Sequence, residues 1–231
     1  MAPIYFLHPR KTAGTSLNFA FYALSGHDPA WLHQAIRDAP TRSLSINGCT
    51  YVAGNPERLS QGNYFYGSSH QPLHELSLPL DTFVFATFRD PVDRVVSHYR
   101  MLVSYVASGV EKPFMALEKG WVGDSFDDFL ERLPRERLLN QLWMLTPDFD
   151  VAAAMQTVRC LDHVLVLERL EEGVRILGSR LKLPLEARHD RRSVLSLTPS
   201  RASLERLRKL VEPEQELLNG IRLQLKEFGY R

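Results

Sequence analysis

The stretch Thr82-Phe83-Val84-Phe85-Ala86-Thr87-Phe88 restricts the fold of this chain more than any other. It is β-branched and aromatic, nearly free of polar side chains, and shows no apolar-polar alternation. Such a strand is expected where both faces are covered, at the centre of a parallel sheet. Further strands are expected at 3–8, at 163–167, between the glycines at 62–67, and as a short piece at 50–53. Between them lie segments with helical character: 15–25, 31–39, 92–106, 125–133, 135–145, 150–160, and a stretch carrying Leu170, Val174, Leu177 and Leu181. The chain closes on helical stripes with Leu204, Leu207 and Leu210, then Leu217, Leu218, Ile221, Leu225 and Phe228. Residues 108–123 read as an excursion and 184–198 as a polar loop. Strands alternating with helices imply an α/β fold, a mainly parallel central sheet with helices on both faces. A length of 231 residues fits one domain, 1–231, with a hydrophobic share of 44% to fill its core.

Local signals mark several helix starts. Asp90 suits an N-cap, Pro91 the first helical position and Asp93 the first turn. Ser125-Phe126-Asp127-Asp128 has the form of a capping box. Thr198-Pro199 reads as another N-cap followed by a first-position proline.

Charge and cysteine content narrow the function classes. The net charge of +1 gives no strong whole-protein field, and there is no extended basic tract, so no nucleic-acid partner is expected. Arg132, Arg135 and Arg137 read as a solvated helix face. Cys49 and Cys160, the two cysteines, cannot build a disulfide framework or a metal cluster and read as reduced, partly buried thiols. The apolar run at 4–7 is too short for a signal peptide or an anchor, and no other run approaches membrane-spanning length. A cytoplasmic protein without a membrane span is expected.

Three polar stretches follow expected strands, at the edge where ligands bind parallel sheets. The first is His8-Pro9-Arg10-Lys11-Thr12-Ala13-Gly14-Thr15-Ser16. A strand, a polar loop with one lysine and a helix start form an anion site, because first-turn N–H groups and the helix dipole both favour negative charge. Lys11 adds a full charge, and Thr12, Thr15 and Ser16 add donors. The plainer alternative is a βα turn capped by Thr15 or Ser16. The second stretch pairs Arg89 with Ser97, a guanidinium and a hydroxyl able to bind another phosphate. In the alternative, Arg89 pairs with Asp90 or Asp93. The third is His70, a loop imidazole suited to general-base work, with His74 as competitor and a plain surface histidine as the alternative.

Together these stretches resemble the 3′-phosphoadenosine-5′-phosphosulfate (PAPS)-dependent sulfotransferases, in the branch of carbohydrate sulfotransferases and their bacterial relatives. That branch carries His-Ile-Pro-Lys-Thr-Gly-Gly-Thr-Ser after its first strand, where this chain has the stretch from His8 to Ser16. Its Arg-Asp-Pro-Val-x-Arg-x-x-Ser-x-Tyr matches Arg89 through Tyr99, and its His-x-Pro matches His70-Gln71-Pro72. Softer likenesses are Asn140-Gln141, the strand ending near Glu168-Arg169, and Arg191-Arg192-Ser193, which looks like the family's cofactor-covering loop. Two positions depart. Arg10 stands where the family usually has proline, and Ala13 replaces the first glycine; a positive φ at Ala13 would strain it.

The resemblance implies a P-loop-like nucleotide-binding sulfotransferase fold, with PAPS as cofactor and adenosine 3′,5′-bisphosphate as its product. It implies that Lys11, Thr12, Ala13, Gly14, Thr15 and Ser16 hold the 5′-phosphosulfate, with Lys11 also acting in catalysis. Arg89 and Ser97 would hold the 3′-phosphate, Arg191, Arg192 and Ser193 would cover the cofactor, and His70 would be the base. No metal is implied. The acceptor is a hydroxyl, with carbohydrate favoured and Trp31, Trp121 and Trp143 as stacking candidates. Two rivals differ in class. A P-loop kinase would place lysine after the glycines, whereas Lys11 precedes Gly14. A non-catalytic nucleotide-binding scaffold on the same fold keeps the site without the reaction.

Overall fold

The computed structural model describes residues 2–187 and 197–228. Arg191, Arg192 and Ser193 lie outside the described residues. The strands are β1 (Ile4–Leu7), β2 (Ser43–Ile46), β3 (Cys49–Ala53), β4 (Tyr66–Ser69), β5 (Phe83–Phe88) and β6 (His163–Val166). They form a six-stranded sheet in the order β2-β3-β4-β1-β5-β6. Every pairing is parallel except that of β2 with β3. In register, Leu7 of β1 lies between Ser69 of β4 and Ala86 of β5. β4 ends beside the end of β1 and β5 runs on to Phe88, and the chain reaches them on opposite sides of β1: β4 after β2 and β3, then β5 across the sheet. This is the switch point at which open parallel sheets form a crevice.

The helices are α1 (Gly14–Ala23), α2 (Pro29–Asp38), α3 (Pro56–Gln61), α4 (Pro91–Ser108), α5 (Met115–Glu118), α6 (Phe126–Arg132), α7 (Arg135–Leu138), α8 (Asn140–Trp143), α9 (Val151–Cys160), α10 (Leu170–Leu181), α11 (Arg201–Leu210) and α12 (Glu212–Phe228). They cover both faces of the sheet. On one face Ile4, Phe6, Tyr66, Phe85 and Leu165 pack against Leu17 and Phe21 of α1, Leu32 and Ile36 of α2, and Val174 and Leu177 of α10. On the other, Tyr5, Leu7, Ala86, Phe88 and Val166 pack against Val95 and Leu102 of α4, Phe129 of α6, Val158 of α9 and Leu218 and Ile221 of α12. Alternate residues of β1 and β5 thus enter opposite cores, as the apolar runs require. Among the described residues no helix is long and apolar enough to cross a membrane.

The expected caps hold at two helices. The Asp90 side chain accepts from the Asp93 N–H with Pro91 in the first turn, and Ser125 and Asp128 cap each other's backbone. Elsewhere the boundaries move. The strand expected at 62–67 lies at Tyr66–Ser69, because its glycines have other work. Gly62 is the left-handed C-cap of α3, and a Cβ on Gly67 would come within 2.4 Å of Leu59. The helix expected at 135–145 is two short helices broken at Leu139, whose φ of −106° and ψ of 49° are not helical. The last cap is Ser200, which accepts from the Ser203 N–H, one residue beyond the Thr198-Pro199 pair. β2 was not expected. Its hairpin to β3 turns through Asn47 and Gly48, both at positive φ, and Asn-Gly is the turn signal that marks it. Cys160 is exposed and Cys49 half-buried.

Candidate active site

The loop after β1 has an unusual backbone. Lys11 and Ala13 both lie in the left-handed region, at φ 67° and 66°. The strain foreseen for alanine is therefore present, at a cost of about 1–3 kcal/mol for each such residue. Buried Thr12, between them, spends its hydroxyl internally, donating to the Pro9 carbonyl at 2.7 Å. Its hydroxyl closes the turn, so what it can offer a ligand is its amide. α1 then starts at Gly14 with Ala13 as N-cap and no side-chain cap. The plain alternative, with Thr15 or Ser16 as the cap, does not hold; both sit inside the first turn. Among the described residues no side chain caps the first-turn N–H groups, as an anion site needs. Gly14 is required here for space: a Cβ would sit 1.6 Å from His8 Cε1.

The Lys11 ammonium rests 3.6 Å from the Met101 thioether on α4, a weak acceptor. Arg89, just past β5, bridges to this loop: its Nη1 donates to the Lys11 carbonyl at 3.2 Å. The guanidinium thus faces the β1 loop. Burial lowers its pKa, while the charges of Asp93, Glu168 and Asp90 push it back up. Asp90 is occupied as the cap of α4, and its own N–H donates to Glu168. Ser97 is half-buried on α4, ahead of the buried His98.

His70 follows β4 directly. Its Nδ1 lies 2.8 Å from the His8 carbonyl, and because a carbonyl only accepts, Nδ1 carries the proton. Nε2 is left with its lone pair, the arrangement of a general base. The ring leans on that of His8, with centroids 4.3 Å apart. Crowding by protein, then the charge of Arg10, lower its pKa to about 4 against the opposing bond to His8. His70 is exposed to water, and the lowered pKa leaves its ring neutral near neutral pH. His74 meets Trp143 edge-on at 4.9 Å, and Trp143 stacks on Phe149 at 5.5 Å. Trp31 is 51% exposed, on α2.

Arg10, the residue in the place of a proline, has a defined partner. Its Nη1 forms a 2.6 Å ion pair with buried Glu118 at the end of α5, whose other oxygen lies 3.1 Å from His98 Nε2. Burial alone would raise the Glu118 pKa, but the bond to His98 and the charge of Arg10 lower it. Burial lowers His98 to about 4, so this histidine is a neutral donor to the Glu118 carboxylate. The three expected arginines do not share one helix face. Arg132 ends α6, Arg135 lies over the Phe149 ring at 4.4 Å, and the Arg137 carbonyl accepts from Arg94.

Other site residues gave little sign in the sequence. The Asn140 Oδ1 accepts from the Arg10 N–H at 2.8 Å. The Gln141 amide brackets the Arg89 backbone: Oε1 accepts from its N–H at 2.8 Å and Nε2 donates to its carbonyl at 3.1 Å. Behind Gln141 lies Glu214 of α12, fully buried with its ion-pair partner Arg94. In the sequence Asn140-Gln141 stood out only as a soft likeness to a family segment, with nothing to mark its partners. A cavity lined by Met155, His163 and Gly220 and another lined by Cys49, Asn63 and Pro184 contain none of these residues. The chain matches no protein-family model, and it matches no curated protein.

Proposed function

We propose that this chain is a PAPS-dependent sulfotransferase on a P-loop-like nucleotide-binding fold, acting on an acceptor hydroxyl, with carbohydrate favoured. One observation carries the reading: three polar segments far apart in sequence follow the ends of three adjacent strands, β4, β1 and β5, at the switch point. They offer an uncapped helix start with Lys11, a guanidinium reaching toward it, and a neutral imidazole with its Nε2 lone pair available.

These residues fit a nucleotide with two separate anionic groups. The amides from Thr12 to Ser16 and the Lys11 charge would hold its 5′-phosphosulfate, and Arg89 with Ser97 its 3′-phosphate. When bound, the cofactor supplies an activated sulfuryl group. Lys11 holds positive charge where negative charge grows during transfer, which favours the transition state over the ground state. His70 Nε2 accepts the proton of the acceptor hydroxyl, and the bond from Nδ1 to His8 fixes the tautomer that can do so.

The test is transfer of labelled sulfate from PAPS to a panel of sugars, lipids and phenols. The wild type transfers label; Lys11→Ala lowers kcat by about 10²–10³-fold. His70→Ala lowers it by about 10²–10⁴-fold with nucleotide binding retained. Binding of adenosine 3′,5′-bisphosphate without transfer to any acceptor would overturn the catalytic reading in favour of a binding protein. Loss of transfer in His74→Ala but not in His70→Ala would move the base.

A further inference from the structure

We infer that Asn140 and Gln141 form a positioning clamp that sets the spacing between the two anion-binding segments, and that Gln141 governs discrimination for a 3′-phosphate. This inference rests on the reading of the site given above and adds residues that touch no ligand. The geometry is reciprocal. Asn140 takes the Arg10 N–H of the β1 loop, 130 positions away in sequence, and Gln141 takes both backbone groups of Arg89, 52 positions away. Adjacent residues of one short helix thus hold the two loops, and the Arg89 guanidinium closes the circuit on the Lys11 carbonyl. A backbone fixed at both its N–H and its carbonyl cannot rotate freely, so the direction in which the Arg89 side chain leaves is set by Gln141.

The clamp is itself anchored. Glu214 Oε1 accepts from the N–H groups of Gln141 and Leu142 at 2.5 and 3.3 Å, and Oε2 accepts from Gln141 Nε2 at 3.1 Å. Arg94 faces the same carboxylate at 3.3 Å and donates to the carbonyls of Arg137 and Leu138. Asn140, Gln141, Arg94 and Glu214 are all buried. Each amide group of Gln141 has one orientation that satisfies its partners, oxygen to the Arg89 N–H and nitrogen to the carbonyl and carboxylate. In a buried setting a wrong or missing partner is expensive, so the arrangement is rigid.

The test compares Gln141→Ala and Asn140→Ala by calorimetry with adenosine 3′,5′-bisphosphate, adenosine 5′-phosphate and adenosine 3′-phosphate, together with amide hydrogen exchange. Gln141→Ala is expected to weaken the two ligands carrying a 3′-phosphate by about tenfold or more, the equivalent of one buried hydrogen bond, and to leave adenosine 5′-phosphate unchanged. Asn140→Ala is expected to weaken the two ligands carrying a 5′-phosphate and spare adenosine 3′-phosphate. Exchange should speed up at the Arg89 amide in the first variant and at the Arg10 amide in the second. A uniform loss across all three ligands, as general destabilisation would give, overturns the inference, as does an unchanged affinity for all three. Failure of the wild type to bind any of them overturns the functional reading and the discrimination role with it. The exchange rates then still decide the clamp: site-specific acceleration upholds it, and unaltered rates at both amides overturn it.

Discussion

At the scale of single residues, the β1 loop stores backbone strain where the ligand would sit. Ala13 at φ 66° occupies a conformation that glycine adopts freely. Replacing it by glycine relieves the strain but adds freedom to the unfolded chain, so the two effects partly cancel. Ala13→Gly is therefore expected to raise stability by up to about 1 kcal/mol in urea unfolding with nucleotide affinity kept. A loss of stability would show that the strain at Ala13 is smaller than the freedom glycine adds to the unfolded chain. The neighbouring Gly14 behaves oppositely. A side chain there must displace the His8 ring, which stacks on Phe6 at 4.9 Å and against His70. Gly14→Ala is expected to cost about 1–3 kcal/mol and to weaken binding. The sequence marked Ala13 as a departure, but its φ follows from the path of the loop between Pro9 and Gly14, which no single residue announces.

At the scale of elements, α4 and α5 are joined through a polar contact inside an apolar setting. His98 is 1% exposed and is kept neutral, with a pKa near 4 against an ordinary 6.5. Among the described residues its Nδ1 has no hydrogen-bond partner, so protonation would bury a further unsatisfied donor. The folded pKa lies below the unfolded one. Above pH 6.5 both states are neutral at this site, and as pH falls from 6.5 toward 4 the unfolded state binds a proton the folded state refuses. Stability is thus full above that window and is lost through it, at about 1.4 kcal/mol per pH unit. Urea unfolding at about pH 7 and pH 5 should show the wild type losing about 2 kcal/mol more than His98→Gln, which keeps a donor for Glu118. Equal losses would remove His98 as the cause. The elements themselves were legible where a local signal decides them. Asp90 and Pro91 start α4, and Ser125 with Asp128 starts α6, because caps act over one turn. Legibility fails where packing decides. Gly67 reads as a strand boundary, yet it sits inside β4 to admit Leu59, and the break at Leu139 serves contacts with Arg10, Arg89 and Glu214 far along the chain.

At the scale of the molecule, the order β2-β3-β4-β1-β5-β6 joins residues that the sequence keeps apart. The convergence of Lys11, His70 and Arg89 was readable as soon as each was seen to follow an apolar strand, since parallel sheets bring those ends to one edge. Of the clamp behind them only the pair Asn140-Gln141 was readable; its partners were not, because side-chain bonds to the backbone of distant loops leave no spacing pattern. On the function proposed above, the whole arrangement would be a site for two phosphate groups, one at the start of α1 and one at Arg89. Calorimetric titration of the wild type and Arg89→Ala with adenosine 3′,5′-bisphosphate and adenosine 5′-phosphate tests that claim most directly. The account predicts that the wild type prefers the bisphosphate by at least about tenfold, a margin worth about 1.4 kcal/mol, and that Arg89→Ala abolishes the preference while still binding the monophosphate. Equal affinity of the wild type for both nucleotides, or a preference that survives in Arg89→Ala, would contradict it.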